Sequence, residues 1–202
     1  PPGSGTFVSR GAVGGLSSLV EALRVVAERD LAPGLDVTRT VDPSQVYPSG
    51  AHLALVEVDP ITCIPRVVSY HAVEDCGTIV NHAAVEEQVR GGIAMGLGGV
   101  LLEEFAYSVD GQPLSSTLLD YLVPLASDMP AELKLEHIES PSPHTALGSK
   151  GVGEGGTIGA FAAVANAVAD AVAPLGVTLT DLPYSPDTLF RAIALAEGGD
   201  SS

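Results

Sequence analysis

Tryptophan is absent from this 202-residue chain, and aromatic residues together make up only 4% of it. Single-stranded nucleic acid is gripped largely by stacking bases on aromatic rings, and too few rings are present to build such a platform. Positive charge is also scarce: nine Lys and Arg stand against 25 Asp and Glu, giving a formal net charge of −16. A field of that sign repels a polyphosphate backbone, so nucleic acid is excluded as a partner, and the acidity is read as a solubility feature. Cysteine occurs only at Cys63 and Cys76, without C-x-x-C spacing, so no ligand set for an iron–sulfur cluster or structural zinc is present. Two buried thiols in a reducing, cytoplasmic compartment are expected rather than a disulfide. No apolar run reaches the ~18 residues of a membrane span, because Gly, Asp and Asn interrupt the longest ones. The first residue is Pro1 rather than Met, so a processed chain or a piece of a longer one is expected.

Hydrophobic residues make up 46% and Gly contributes 23 positions. That richness predicts close backbone packing and much apolar surface buried against something. Alternation over 52–58 and a second β-type run over 65–73, separated by Asp59-Pro60, predict a hairpin. Helices are predicted over 17–28, 83–105 and 157–172, with Ser185-Pro186 opening a last one to about residue 196. Further strands are predicted over 37–40, 133–138 and 178–182, and a long loop over 141–156. Without regular βαβ alternation, the mixture reads as α+β. The helix over 83–105 contains Gly91, Gly92, Gly96, Gly98 and Gly99, each costing about 1 kcal/mol against alanine. Something must pack closely on it, either another helix or a ligand.

The segment with the clearest chemical potential is Gly148-Ser149-Lys150-Gly151-Val152-Gly153-Glu154-Gly155-Gly156-Thr157, which opens into an Ala-rich helix. Its glycines let a ligand approach the backbone, and the helix N-terminus offers free N–H groups and a positive dipole end. A carboxylate there is stabilised as the anion, which suits a general base. Read from the residues alone, a glycine-rich helix entry with a favourable N-terminal Glu is the stronger account. Gly151-x-Gly153-x-x-Gly156 also matches a dinucleotide fingerprint, but no strand precedes it. Three other segments combine exposed backbone with polar groups: Gly5-Thr6-Phe7-Val8-Ser9-Arg10, Gln88-Val89-Arg90-Gly91-Gly92, and Asp75-Cys76-Gly77-Thr78 followed by Asn81. For the last, ordinary turn chemistry is the favoured reading. The five histidines, His52, His71, His82, His137 and His144, lack metal-ligand spacing and are expected at the surface or in hydrogen bonds.

Taken together and in order, GTFVSR at 5–10, AHLALVEVDP at 51–60, VEDCGTIVN at 73–81, VEEQVRGGIAMGLGGVLLEE at 85–104, LDYLVP at 119–124 and SPHTALGSKGVGEGGTIGA at 142–160 carry a resemblance. The chain resembles the C-terminal part of the molybdenum-binding subunit of the molybdenum hydroxylases, the family of xanthine dehydrogenase, aldehyde oxidase and the carbon monoxide dehydrogenase large subunit. The resemblance implies an enzyme that inserts a water-derived oxygen into a substrate C–H bond, with Glu154 as general base. It implies cofactor contacts at Thr6, Phe7, Val8 and Ser9, at Gln88, and at Lys150, Gly151, Val152 and Gly153, with no protein ligand to molybdenum. The implied cofactor is molybdenum–molybdopterin cytosine dinucleotide. The implied partners are the remaining part of the molybdenum subunit, an FAD subunit and an iron–sulfur subunit carrying [2Fe-2S] clusters; a dimer of the whole complex is compatible with this. Met95 and Glu87 stand where glutamine and glycine are common in the family, and the stretch between Arg10 and Asp36 is shortened. The chain divides into a cofactor loop and helix at 1–36, a core with the glutamate loop at 37–175, and a C-terminal strand and helix at 176–202. The alternative is a non-catalytic scaffold subunit that has lost cofactor. A shared site requires the Ser9 loop, Gln88 and the 150–154 loop to converge.

Overall fold

The structure is a computed structural model that describes residues 46–145 and 147–199, together with Arg24. The readings at 17–28 and 37–40, and the segment Thr6 to Ser9, therefore lie outside the described residues apart from Arg24, which is helical.

The predicted hairpin forms from β1 (Ser49–Val58) and β2 (Pro65–Asp75), paired antiparallel. Its turn is closed by Asp59, whose carboxylate accepts from the backbone N–H groups of Ile61 and Thr62 at 2.8 Å. The pairing slips between Leu55 and Val56, where the partner changes from Ser69 to Val67. The extra residue lets Val67 join Tyr70, Ala72 and Glu74 on the buried face. A third strand, β3 (Glu132–His137), adds in parallel to β2, giving the order β1-β2-β3.

Helix α1 (His82–Leu101) starts at Asn81, whose side chain accepts from the Ala84 N–H. It ends four residues earlier than the pattern over 83–105 predicts. The Gly98 carbonyl accepts from both Leu102 and Glu103 N–H, and the Tyr121 hydroxyl holds the Glu103 carboxylate at 2.8 Å, so the chain turns away. Helix α2 (Gly155–Val172) buries a stripe of Gly156, Ala160, Val164, Val168 and Val172, one residue per turn. It packs against both β1 and α1. With the short turn that follows, Gly155–Leu175 is long and apolar enough to cross a membrane by length and composition, contrary to the sequence-based expectation. One Asn and one Asp within it did not lower its hydropathy enough, and here its buried stripe serves as the core helix.

Helix α3 (Pro186–Gly199) is capped by Ser185, whose hydroxyl accepts from the Thr188 N–H. The strand predicted over 178–182 does not form. A strand needs a neighbouring edge, whereas this stretch runs beside the C-terminal end of α1, to which Tyr184 N–H donates at the Val100 carbonyl. The architecture is α+β with a mixed sheet. Both cysteines are buried free thiols. Much apolar surface stays uncovered between α1 and β3, including Phe105, Val109, Leu118 and Leu119.

Candidate cofactor-binding and catalytic site

The alternative left open by the glycines of α1 is resolved in favour of a helix. A side chain at Gly92 would stand 2.8 Å from the Thr157 nitrogen, and one at Gly96 or Gly99 would collide with Ala160 or the Phe161 ring. On the other side of the crossing, a side chain at Gly156 would collide with the Val89 backbone. Only Gly91 of the five faces open space. The two backbones therefore approach closely, and this contact brings the N-terminal half of α1 to the start of α2.

The consequence is a direct link between two candidate segments far apart in sequence. Gln88 on α1 donates from Nε2 to the carbonyl oxygen of Gly153 at 2.9 Å. Glu154 follows as the N-cap of α2. Its carbonyl accepts from Thr157 and Ile158 N–H, while its exposed side chain makes no cap hydrogen bond. The carboxylate is thus at the positive end of an 18-residue helix, not consumed by capping.

The loop before Glu154 is stitched to the end of β2. Lys150 N–H donates to the Cys76 carbonyl at 2.7 Å, Ser149 Oγ donates to the Thr78 carbonyl at 2.8 Å, and Gly77 pairs with Ser149 across an isolated bridge. Gly77 has φ +67, and a side chain there would run into the Gly148 carbonyl, so this position requires glycine twice over. Asp75 is the centre of the stitch. One carboxylate oxygen accepts from Gly77 and Ser140 N–H, and the other lies 3.0 Å from the Lys150 ammonium. The hydrogen bond from the Gly77 N–H, helped by those from Lys150 and Ser140 and opposed by burial, holds this carboxyl well below the usual carboxylate range. A depressed value means that the folded state favours the anion. The resulting stabilisation is full at neutral pH and is lost as pH falls through and below the ordinary aspartate value of about 3.9. Asp75→Asn is expected to destabilise the protein at pH 7 and to flatten the acid limb of its stability curve, as followed by denaturant unfolding at stepped pH. An unchanged acid limb would contradict this.

Between the 76–81 loop, the first turns of α1 and the 149–153 loop lies a cavity of about 700 Å³. Its walls include Gln88, Lys150, Gly151, Val152 and Gly153 from the sequence-based set, and also Cys76, Thr78, Ile79, Asn81 and Glu87. Burial pushes the Cys76 thiol up, so this wall residue stays protonated. Glu154 sits one residue beyond the wall. Side chains placed at Gly151 or Gly153 would meet nothing within 4 Å, so both present bare backbone to open space.

Turn chemistry is part of what the 75–78 loop does, as Asp75 and Gly77 show, but the loop is also a wall of the cavity. The periodicity of the chain gives no sign of that second role; the exposed backbone and polar groups at Asp75 to Thr78 and Asn81 do, although turn chemistry is the favoured sequence-based reading of the segment. Met95 lies away from the cavity wall, with its sulfur 4.0 Å from Thr157 Oγ1. Among the described residues no group of three or more His, Cys, Asp or Glu is arranged to hold a metal.

A family model for the molybdopterin cofactor-binding domain matches residues 32–130. The chain belongs to the molybdenum hydroxylase family. It is similar to the nicotine 6-hydroxylase large subunit of Paenarthrobacter nicotinovorans, at 44% identity over 161 residues, 79% of this chain and 20% of that one. It is similar to the carbon monoxide dehydrogenase large chain of Hydrogenophaga pseudoflava at 34% identity, across 81% of this chain and 20% of that one. Among solved structures, quinoline 2-oxidoreductase from Pseudomonas putida 86 superimposes with a TM-score of 0.74 at 43% identity, covering 87% of this chain and 23% of that one. The chain thus spans about one fifth of the length of the curated relatives it matches.

Proposed function

We propose that this chain is part of the catalytic large subunit of a multi-chain molybdenum hydroxylase or dehydrogenase, with Glu154 as general base. The observation that carries the reading is the Gln88–Gly153 hydrogen bond, which joins two cofactor-contact segments implied by the resemblance around one cavity. The residues fit a large anionic pterin group. Gly151 and Gly153 leave backbone open beside the cavity, and Gln88, with Nε2 committed to Gly153, keeps its amide oxygen and second N–H to offer a ligand. Lys150 contributes mainly by fixing the loop, since its ammonium is engaged by Asp75.

The cofactor form is molybdopterin cytosine dinucleotide, with Thr6, Phe7, Val8 and Ser9 as its further contacts. When bound, it supplies the two-electron oxidation by which a water-derived oxygen replaces a substrate hydrogen. Glu154 takes a proton at a carboxylate oxygen, which is left free for it because the side chain at the start of α2 makes no cap hydrogen bond. The remaining part of the large subunit completes the substrate pocket. An FAD subunit and a [2Fe-2S] subunit carry the electrons away, in a cytoplasmic assembly acting on a small molecule. The divisions at 36 and 175 belong to the same reading; the second falls between α2 and α3.

Metal and nucleotide analysis of the intact complex tests the proposal. Stoichiometric molybdenum, with cytidine monophosphate released on acid hydrolysis, is expected. A fully assembled complex without molybdenum would establish the scaffold alternative instead.

A further inference from the structure

Beneath the first turn of α2 lies a buried polar group that the proposed chemistry does not use. On β1 and β2, His52 pairs with Ala72, which places its ring between the side chains of Tyr70 and Glu74 on the same face of the sheet. His52 Nδ1 is 2.6 Å from the Tyr70 hydroxyl oxygen, and Nε2 is 2.7 Å from Glu74 Oε1. The His52 and Glu74 side chains are 4% and 3% exposed, and Tyr70 is fully buried. Burial, and then the Glu74 charge, push the Tyr70 phenol far up, so the hydroxyl keeps its proton. A carboxylate only accepts, so Nε2–H donates to Glu74, and Nδ1 is left to pair with the Tyr70 hydroxyl.

Placing a carboxylate in such a site is costly unless it is compensated. Two compensations are visible: the His52 N–H, and the start of α2 directly above. A side chain at Gly155 would stand 2.9 Å from Glu74 Oε2, and one at Gly159 would stand 2.5 Å from His52 Cδ2. The first turn of α2 therefore rests on Glu74 and His52 with no room between, and the buried anion faces the positive end of the helix dipole. Glu154 is the residue immediately before that turn.

We propose that Tyr70, His52 and Glu74 form a hydrogen-bonded relay of positioning residues that seats the first turn of α2, and through it sets the placement of Glu154 and the Gly151–Gly153 backbone. The seating itself is independent of what Glu154 does; only its consequence for turnover rests on the function proposed above. The relay acts by shape and hydrogen bonding. Glutamine at position 74, which fills the same space and can still accept from His52 Nε2, can therefore substitute for the acid.

The test uses the assembled enzyme containing this chain. Amide hydrogen exchange at Thr157 and Ile158, whose N–H groups bond the Glu154 carbonyl, reports the seating directly. Glu74→Ala is expected to raise exchange there at least ten-fold with α3 and β3 unchanged, and to lower kcat at least ten-fold with KM within two-fold. Glu74→Gln should restore both to within three-fold of wild type. Should Glu74→Ala fail to assemble, Tyr70→Phe removes only the hydroxyl contact to His52 and should raise exchange at the same two amides about three-fold. A rise spread evenly over the chain, a Gln variant as impaired as Ala, or unchanged exchange in Tyr70→Phe would each overturn the relay. Altered exchange with unaltered kcat would keep the relay as the seat of α2 and count instead against Glu154 as the base.

Discussion

Glu154→Gln is expected to lower turnover by at least ~100-fold while molybdenum and pterin content stay at the wild-type level, since a general base contributes about 10²–10⁴ in rate. The substitution is mild structurally. The Glu154 side chain is exposed and makes no cap hydrogen bond, and its structural work is done by its backbone carbonyl, which accepts from Thr157 and Ile158 in either variant. The amide keeps the shape and loses the ability to take a proton. Steady-state kinetics with parallel metal analysis provides the check. Wild-type-like turnover in a molybdenum-loaded Glu154→Gln enzyme would exclude this residue as the base. Loss of molybdenum together with activity would instead make it a cofactor-retention residue.

Gly156→Ala is expected to destabilise the protein by about 1–3 kcal/mol, although alanine is the better helix former by about 1 kcal/mol. The sign is set by the crossing of α1 and α2. The added methyl would be driven into the Val89 backbone, which cannot rotate away as a flexible side chain could. Gly91→Ala, on α1 but with nothing within 4 Å of the added atom, is the matched control and should stabilise by about 0.4–1 kcal/mol. Denaturant unfolding of the two variants separates the readings. If Gly156→Ala also stabilises, the close approach of the two helices is wrong. Because Val89 follows Gln88, a crossing forced apart should also break the Gln88–Gly153 bond and loosen the cavity wall.

Much of the fold was legible because local patterns agree with the tertiary outcome. The hairpin is written in alternation and Asp59-Pro60, α2 in an apolar residue at every turn from Gly156 to Val172, and α3 in Ser185-Pro186. Failures occurred where a neighbour decides. Residues 178–182 have strand-like composition and no sheet edge beside them. The end of α1 is set by Tyr121 reaching Glu103, a contact between residues that no local window joins. For the site, the glutamate loop was visible from its glycines and its place before a helix, and the family resemblance assigned Gln88. The cavity-wall role of Cys76, Thr78, Ile79 and Asn81 was masked by turn chemistry that is itself present.

By itself, then, the sequence determined the main helices and the hairpin through periodicity, and marked the loop carrying Glu154 through backbone freedom next to a helix start. These are local or summed properties of the chain. Only the tertiary structure decided that Gly92, Gly96 and Gly99 of α1 serve a helix crossing, that Gln88 holds Gly153, that Lys150 is bound to Asp75, and that His52 is buried between Tyr70 and Glu74. Each depends on distances between residues remote in sequence. Periodicity carries no information about such pairs, and packing, with the cost of leaving a buried polar group unpaired, selects among the pairings that composition allows.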